Sequence, residues 1–235
     1  MVGSEHTSKQ FDAELEAVRA RVLQMGGMVE SQIRLAVESL LSGDVSLMNR
    51  VIEDDHRVNA MEVEIDESCN RILVRRQPAA GDLRMITTVI KTITDLERIG
   101  DEAEKIARMA KLLSQKERLH LPRYNEIKHA SDIALDMLRK SLDAFARLDL
   151  STAAQVVRQD ELVDEEFRAI MRYLITFMME DPRTISTSLE ILFVAKAIER
   201  IGDHAKNMSE YVVYMVKGRD VRHVTVEEIE REVLE

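Results

Sequence analysis

The sequence predicts an all-α protein: two tandem three-helix bundles related by a pseudo-twofold internal repeat. Three observations carry this. With 8 Gly, 3 Pro, 4% aromatics and no Trp, turn formers are too scarce for many short strands. Apolar residues step by three or four along long stretches, the period of an amphipathic helix. One phrase occurs twice. Residues 96–101 read Leu-Glu-Arg-Ile-Gly-Asp and residues 198–203 read Ile-Glu-Arg-Ile-Gly-Asp, an offset of 102 residues.

The elements follow in order. Phe11, Leu15, Val18, Val22, Met25, Val29, Ile33, Val37 and Leu40 predict a helix from Ser8 to Leu41, with Gly26-Gly27 as a place to bend. Ser42-Gly43-Asp44 reads as a stop followed by a cap. A second helix runs from Val45 to Arg75, broken by Gln77-Pro78-Ala79-Ala80-Gly81. Asp82 is placed to cap the third, Leu83 to Leu113, which carries the first phrase. A polar stretch up to Arg123 connects the halves. The layout then repeats: Tyr124 to Ala146, a Leu150-Ser151 junction 105 residues after Val45-Ser46, Ser151 to Met179, a break at Pro182, and Arg183 to Val216 with the second phrase. Thr225 and Glu228 form a candidate capping box for a short last helix; the alternative for so polar a tail is disorder. The expected domains are 1–115 and 124–220, with 116–123 as connection and 221–235 as tail. Short loops make each bundle antiparallel, and the tandem arrangement predicts an elongated molecule.

Composition excludes several function classes. Net charge is −10 with acids and bases interspersed, which argues against nucleic acid and against a polybasic membrane tract. No apolar run approaches the roughly 18 residues of a membrane span. Cys69 is the single cysteine, so no disulfide framework forms within one chain, and a reduced cytoplasm fits. The first ten residues lack the apolar core of a signal peptide.

Each phrase places two acids four apart on one helix face: Glu97/Asp101 and Glu199/Asp203. At about 100° per residue these acids continue an apolar stripe. Partly buried like charges are costly unless cations or hydrogen bonds compensate. Arg98 and Lys105 are candidate compensators; a hard cation such as Mg²⁺, Ca²⁺ or Mn²⁺, or iron, is another. Gly100 and Gly202 mark close approach of a neighbouring helix. A second row of acids, Asp55, Glu62 and Asp66 with Asn59 among them, shares one face of the second helix. Asp160 and Asp164 match Asp55 and Asn59 105 residues on. Antiparallel neighbours would bring these rows to the paired acids, as a metal needs. His56 and His204 read as surface residues. The Glu-x-x-His pairs of di-iron bundles are missing except for Glu53/His56, and no nucleophile or phosphate loop is present.

These residues resemble the PhoU family of bacterial phosphate-transport accessory proteins, over nearly the whole chain. The resemblance rests on the two phrases, on Glu104-Lys105-Ile106, Arg76-Gln77-Pro78 and Asp82-Leu83-Arg84, on Met-Met-Glu-Asp at 178–181, and on the run from Val216 to His223. It implies two three-helix bundles, each with a carboxylate metal site. Carried over to this chain, the ligands are Glu97, Asp101, Glu199, Asp203, Asp55, Glu62, Asp160 and Asp164. The ions expected are Mg, Mn, Zn or Fe. Asn59 departs from the carboxylate pattern, and Phe167 stands where Glu62 has its counterpart. The resemblance further implies a non-enzymatic cytoplasmic adaptor, a negative regulator of phosphate-starvation signalling and phosphate uptake. Its expected partners are the ATPase subunit of a phosphate ABC transporter, a sensor histidine kinase and a second copy of the chain, with no nucleic acid and with membrane association only through partners. The competing readings are a metal-dependent helical-bundle enzyme and a scaffold whose acids pair with Arg98 and Arg200.

Overall fold

The structure, a computed structural model, describes residues 9–115 and 124–234. The predicted connection at 116–123 and the first eight residues lie outside that range. The described residues form helices and one 3-10 turn, with no strand. Helices α1 (Lys9–Ser42), α2 (Val45–Arg76) and α3 (Ala80–Ser114) make the first bundle. Helices α4 (Tyr124–Arg147), α5 (Leu150–Glu180) and α6 (Ile185–Lys217) make the second, with the 3-10 turn at Pro182–Thr184. Helix α7 (Val226–Leu234) follows.

Local chemistry sets the ends. Gly43, at φ 73°, takes the left-handed conformation after α1. The Asp44 carboxylate then accepts from the Ser46 and Leu47 amides at 2.8 and 3.4 Å, satisfying donors that the helix cannot. Asp149 caps α5 in the same way, accepting from Ser151 and Thr152 at 3.0 and 3.2 Å. The residue before it is Leu148, which holds φ 56° without being glycine; an L side chain there is strained. Asp82 is not a cap. Helix α3 begins at Ala80, and Asp82 lies in its first turn, where its charge suits the helix dipole. Gly26-Gly27 does not break α1. A Cβ on Gly26 would lie 2.5 Å from Leu142 Cδ2, so this glycine admits α4 rather than a bend.

The apolar stripes converge as their period requires. Val22, Met25, Val29 and Ile33 of α1 are buried with Val51, Val58 and Ile65 of α2 and Ile86, Ile93 and Ile99 of α3. Met137, Phe145, Val156, Val163, Ile198 and Ile201 fill the second bundle. The stretch from 221, set apart as a tail, folds back. Val221 and Ile229 are buried, and the Arg158 guanidinium forks onto Glu230 at 2.6 and 2.7 Å. Thr225 and Glu228 form the reciprocal capping box, at 3.0 and 3.3 Å.

The halves lie side by side instead of extending end to end. Among the described residues the most extensive helix contact joins α3 to α6, antiparallel along a polar seam. Glu102, 2% exposed, accepts from Lys105 at 2.7 Å and forms an ion pair with Arg200 across the seam at 2.5 Å. His204 Nδ1 lies 2.6 Å from Asp95 Oδ1, so His204 is part of the seam, not the surface. The Lys91 ammonium sits over the Tyr211 and Tyr214 rings at 5.4 and 5.5 Å. Lys105 and Arg200, expected beside the paired acids, are both drawn to Glu102 because its buried carboxylate has no water to solvate it.

Candidate metal centre

The first acidic cluster spans α2 and α3. Glu97 and Asp101 project from α3 one turn apart, partly buried. Asp55 comes from α2 and is 5% exposed. Gly100 lets it approach: a Cβ there would stand 3.3 Å from both Asp55 Oδ1 and Gln32 Oε1, and 3.5 Å from Val58 Cγ1. Two amides hold the Asp55 carboxylate. Gln32 Nε2, from α1, donates to Oδ1 at 3.3 Å, and Asn59 Nδ2 donates to Oδ2 at 3.1 Å. The carbonyl oxygens of both amides are buried without a partner. Glu62 accepts from Thr94 Oγ1 at 3.2 Å. Among the described residues the cation paired with these acids is Arg98, 3.6 Å from Glu97 and 3.8 Å from Asp101 and largely in solvent, where such pairs contribute little. Burial first, then the charges of Asp101 and Glu62, push the Glu97 carboxyl above its ordinary range. Burial and Asp55 do the same to Asp101. This is a cluster short of positive charge.

The second cluster, on α5 and α6, repeats the acids but not their surroundings. Lys206 donates to Asp160 at 2.8 Å. Lys196 donates to both oxygens of Glu199 at 2.5 Å and lies 5.3 Å over the Phe167 ring. Arg168 pairs with Asp164 at 2.9 Å. Burial, then Glu199 and Asp160, push Asp203 up to about 6. Gly202 has more room than Gly100, its nearest neighbour being Val163 at 3.5 Å.

Thus α2 brings Asp55 and Glu62 to Glu97 and Asp101, and α5 brings Asp160 and Asp164 to Glu199 and Asp203. Among the described residues, however, no three Asp, Glu, His or Cys side chains converge closely enough to hold a metal ion. Asp55, Glu62, Asp160, Asp164 and Glu199 are turned to amide, hydroxyl, ammonium or guanidinium partners, while Glu97 and Asp101 face, among the described residues, only the long contact to Arg98. The donor set of the first cluster still fits a hard cation, with carboxylates, orphaned amide oxygens and no ammonium. That of the second is met by two ammonium groups. His56 is exposed. Sequence reasoning missed Gln32, Lys196 and Lys206. A comparison at the repeat offset shows the lysines: Thr94 and Glu104 stand where Lys196 and Lys206 do, 102 residues on. Gln32 was visible only as a polar residue within the apolar stripe of α1.

Among the described residues no helix is long and apolar enough to cross a membrane. The PhoU domain family matches the chain twice, over residues 22–110 and 127–212. The chain is 49% identical to a phosphate-specific transport system accessory protein PhoU homolog of Pseudomonas putida, over 97% of its own length and 89% of the relative's. To the accessory protein PhoU of Escherichia coli K12 it is 47% identical, over 97% and 94%. The crystal structure of PhoU from Pseudomonas aeruginosa superposes with a TM-score of 0.86 at 48% identity, covering 89% of this chain and all of that one. The phosphate transport system regulatory protein PhoU from Streptococcus pneumoniae superposes at 0.83 with 28% identity, over 90% and 99%. The duplicated match, the full-length relatives and the shared architecture establish the assignment: this chain belongs to the PhoU family.

Proposed function

We propose that this chain is a cytoplasmic regulatory adaptor that restrains phosphate uptake and phosphate-starvation signalling when phosphate is plentiful. It does so by coupling a phosphate ABC transporter, through the ATPase subunit, to a sensor histidine kinase. The observation that carries this reading is the full-length, two-bundle likeness to proteins named as accessory or regulatory components of phosphate transport. The chain works by binding, not turnover; its relatives are named for an accessory role. A second copy of the chain is among its partners, and it reaches the membrane only through the transporter and kinase.

Metal ions belong to the same proposal. Asp55, Glu62, Glu97 and Asp101 would hold one in the first bundle, and Asp160, Asp164, Glu199 and Asp203 in the second, with Mg, Mn, Zn or Fe as candidates. A bound cation would neutralise the acids. The chain's own part is to present them on rigid helices, so that loading stiffens the α2–α3 and α5–α6 seams as docking surfaces. Deleting the gene tests the regulatory reading. Phosphate-starvation genes are expected to be expressed in phosphate-rich medium and to be repressed again by the restored wild-type gene. Normal repression in the deletion strain would sink the proposal. Elemental analysis of untagged protein, beside a Glu97→Gln/Asp101→Asn/Glu199→Gln/Asp203→Asn variant, tests the metal part.

A further inference from the structure

The repeat places the two clusters in equivalent positions, yet they solve the problem of buried negative charge differently. In the second, the protein supplies its own cations. The Lys196 ammonium is clamped between both Glu199 oxygens and the Phe167 ring, and Lys206 neutralises Asp160. In the first, the matching positions are Thr94 and Glu104, and Glu62 stands in place of Phe167. No ammonium enters it among the described residues.

The first cluster instead contains uncompensated oxygen. Gln32 is 4% exposed, and its amide oxygen has no partner. That oxygen and Asp55 Oδ1 each lie 3.3 Å from one point, the position a Cβ on Gly100 would take. Both therefore reach the α3 backbone between Glu97 and Asp101. Asn59 adds a second buried, unpartnered amide oxygen beside Asp55. Orphaned buried oxygens are unfavourable unless positive charge meets them. Hard divalent cations take carboxylate and amide oxygens together. At the position of Gln32 the second bundle has Met137, fully buried, whose thioether is a poor ligand for such ions.

We infer that the two clusters load in order. The first takes a hard divalent cation on an all-oxygen site that includes the amide oxygens of Gln32 and Asn59. The second is filled in the free protein by the ammonium groups of Lys196 and Lys206, and takes a metal only by displacing them. This rests on the metal reading above and refines it: Asn59, a departure from the carboxylate pattern, becomes a ligand, and the two sites differ in affinity by construction.

The test is a Mn²⁺ titration of chelator-treated full-length protein, counting free ion by electron paramagnetic resonance and following metal-induced thermal shifts. Wild type is expected to show one tight and one weak class. Gln32→Met, which installs the residue of the second bundle, should weaken the tight class by about tenfold or more and leave the weak class unchanged. Gln32→Glu, which keeps an oxygen there, should retain or tighten it. Lys196→Met/Lys206→Met should strengthen the weak class and leave the tight one alone. Circular dichroism of the metal-free proteins confirms folding. A tight class unmoved in folded Gln32→Met, or a weak class unmoved by the lysine pair, overturns the inference. If Gln32→Met does not fold, Gln32→Glu and the lysine pair decide it. The outcomes separate from those of the parent reading. Wild type that retains no Mn²⁺, Mg²⁺ or Ca²⁺ at all defeats both. A tight class lost in Glu97→Gln/Asp101→Asn but indifferent to Gln32 defeats only the ligand assignment made here.

Discussion

Replacing the two phrase glycines by alanine should give opposite results, although both sit in the same hexapeptide. Alanine in a helix interior is favoured over glycine by about 0.5–1 kcal/mol, because glycine loses more backbone freedom on folding. At Gly202 the atoms nearest the new methyl belong to Val163, at 3.5 Å, an ordinary contact. Gly202→Ala should therefore keep that gain and raise the melting temperature by about 1–4 °C. At Gly100 the methyl lands 3.3 Å from Asp55 Oδ1 and from Gln32 Oε1. One of those buried groups must move, weakening the 3.3 Å hydrogen bond between them at a cost of about 1–2 kcal/mol. The propensity gain is cancelled, leaving a net loss between zero and about 1.5 kcal/mol. The two variants should differ by about 1–2 kcal/mol in urea unfolding followed by circular dichroism. Equal shifts in the same direction would refute the claim that Gly100, and not Gly202, exists to admit polar oxygens from α1 and α2.

Other predictions follow from the same geometry. Asp44→Ala and Asp149→Ala should each lose about 1 kcal/mol, the usual value of an N-cap, and the losses should add in the double variant because the caps share no partner. Arg200→Ala leaves the buried Glu102 with Lys105 alone. Both cations are partly solvated, so the loss should be about 1–2 kcal/mol, below that of a fully buried pair, and Glu102→Gln in the Arg200→Ala background should recover part of it in a double-mutant cycle. Burial, with Glu199 and Asp160 nearby, pushes Asp203 up to about 6 from its ordinary 3.8, and burial pushes Glu210 up to about 7 from 4.5. Both are acids raised by folding, so the native state binds more protons than the unfolded one. Their favourable contribution is complete below about pH 4 and is lost as pH rises through 6 and 7. The urea midpoint of the metal-free protein should therefore depend less on pH between those limits in Asp203→Asn/Glu210→Gln than in wild type; an unchanged profile would contradict the assignment.

The helices, their caps and the duplication are legible in the sequence because each depends on residues close along the chain. A stripe of period 3.6 buries itself whatever it packs against. Asp44 caps α2 through amides two and three residues on, and Thr225 and Glu228 close their box within one turn. The repeated phrase discloses the acids of both clusters, and helix spacing discloses those of α2 and α5. Gln77 and Pro78 end α2 as the break at that point requires, while Asp82 falls inside α3 because the helix starts at Ala80 without a side-chain cap. What the tertiary structure alone decides is the partner of each charge. Lys105 and Arg200 lie one turn or less from the paired acids, yet both turn to Glu102, since a buried carboxylate at a helix seam attracts cations more strongly than acids that water still reaches. His204 is polar by type but interior by position, because α3 and α6 pack side by side and Asp95 waits across the seam. Gln32 is one polar residue in an apolar stripe until folding sets it beside Asp55 and the bare backbone of Gly100. Long-range pairing of charges depends on distance and desolvation in three dimensions, and neither is written in local spacing.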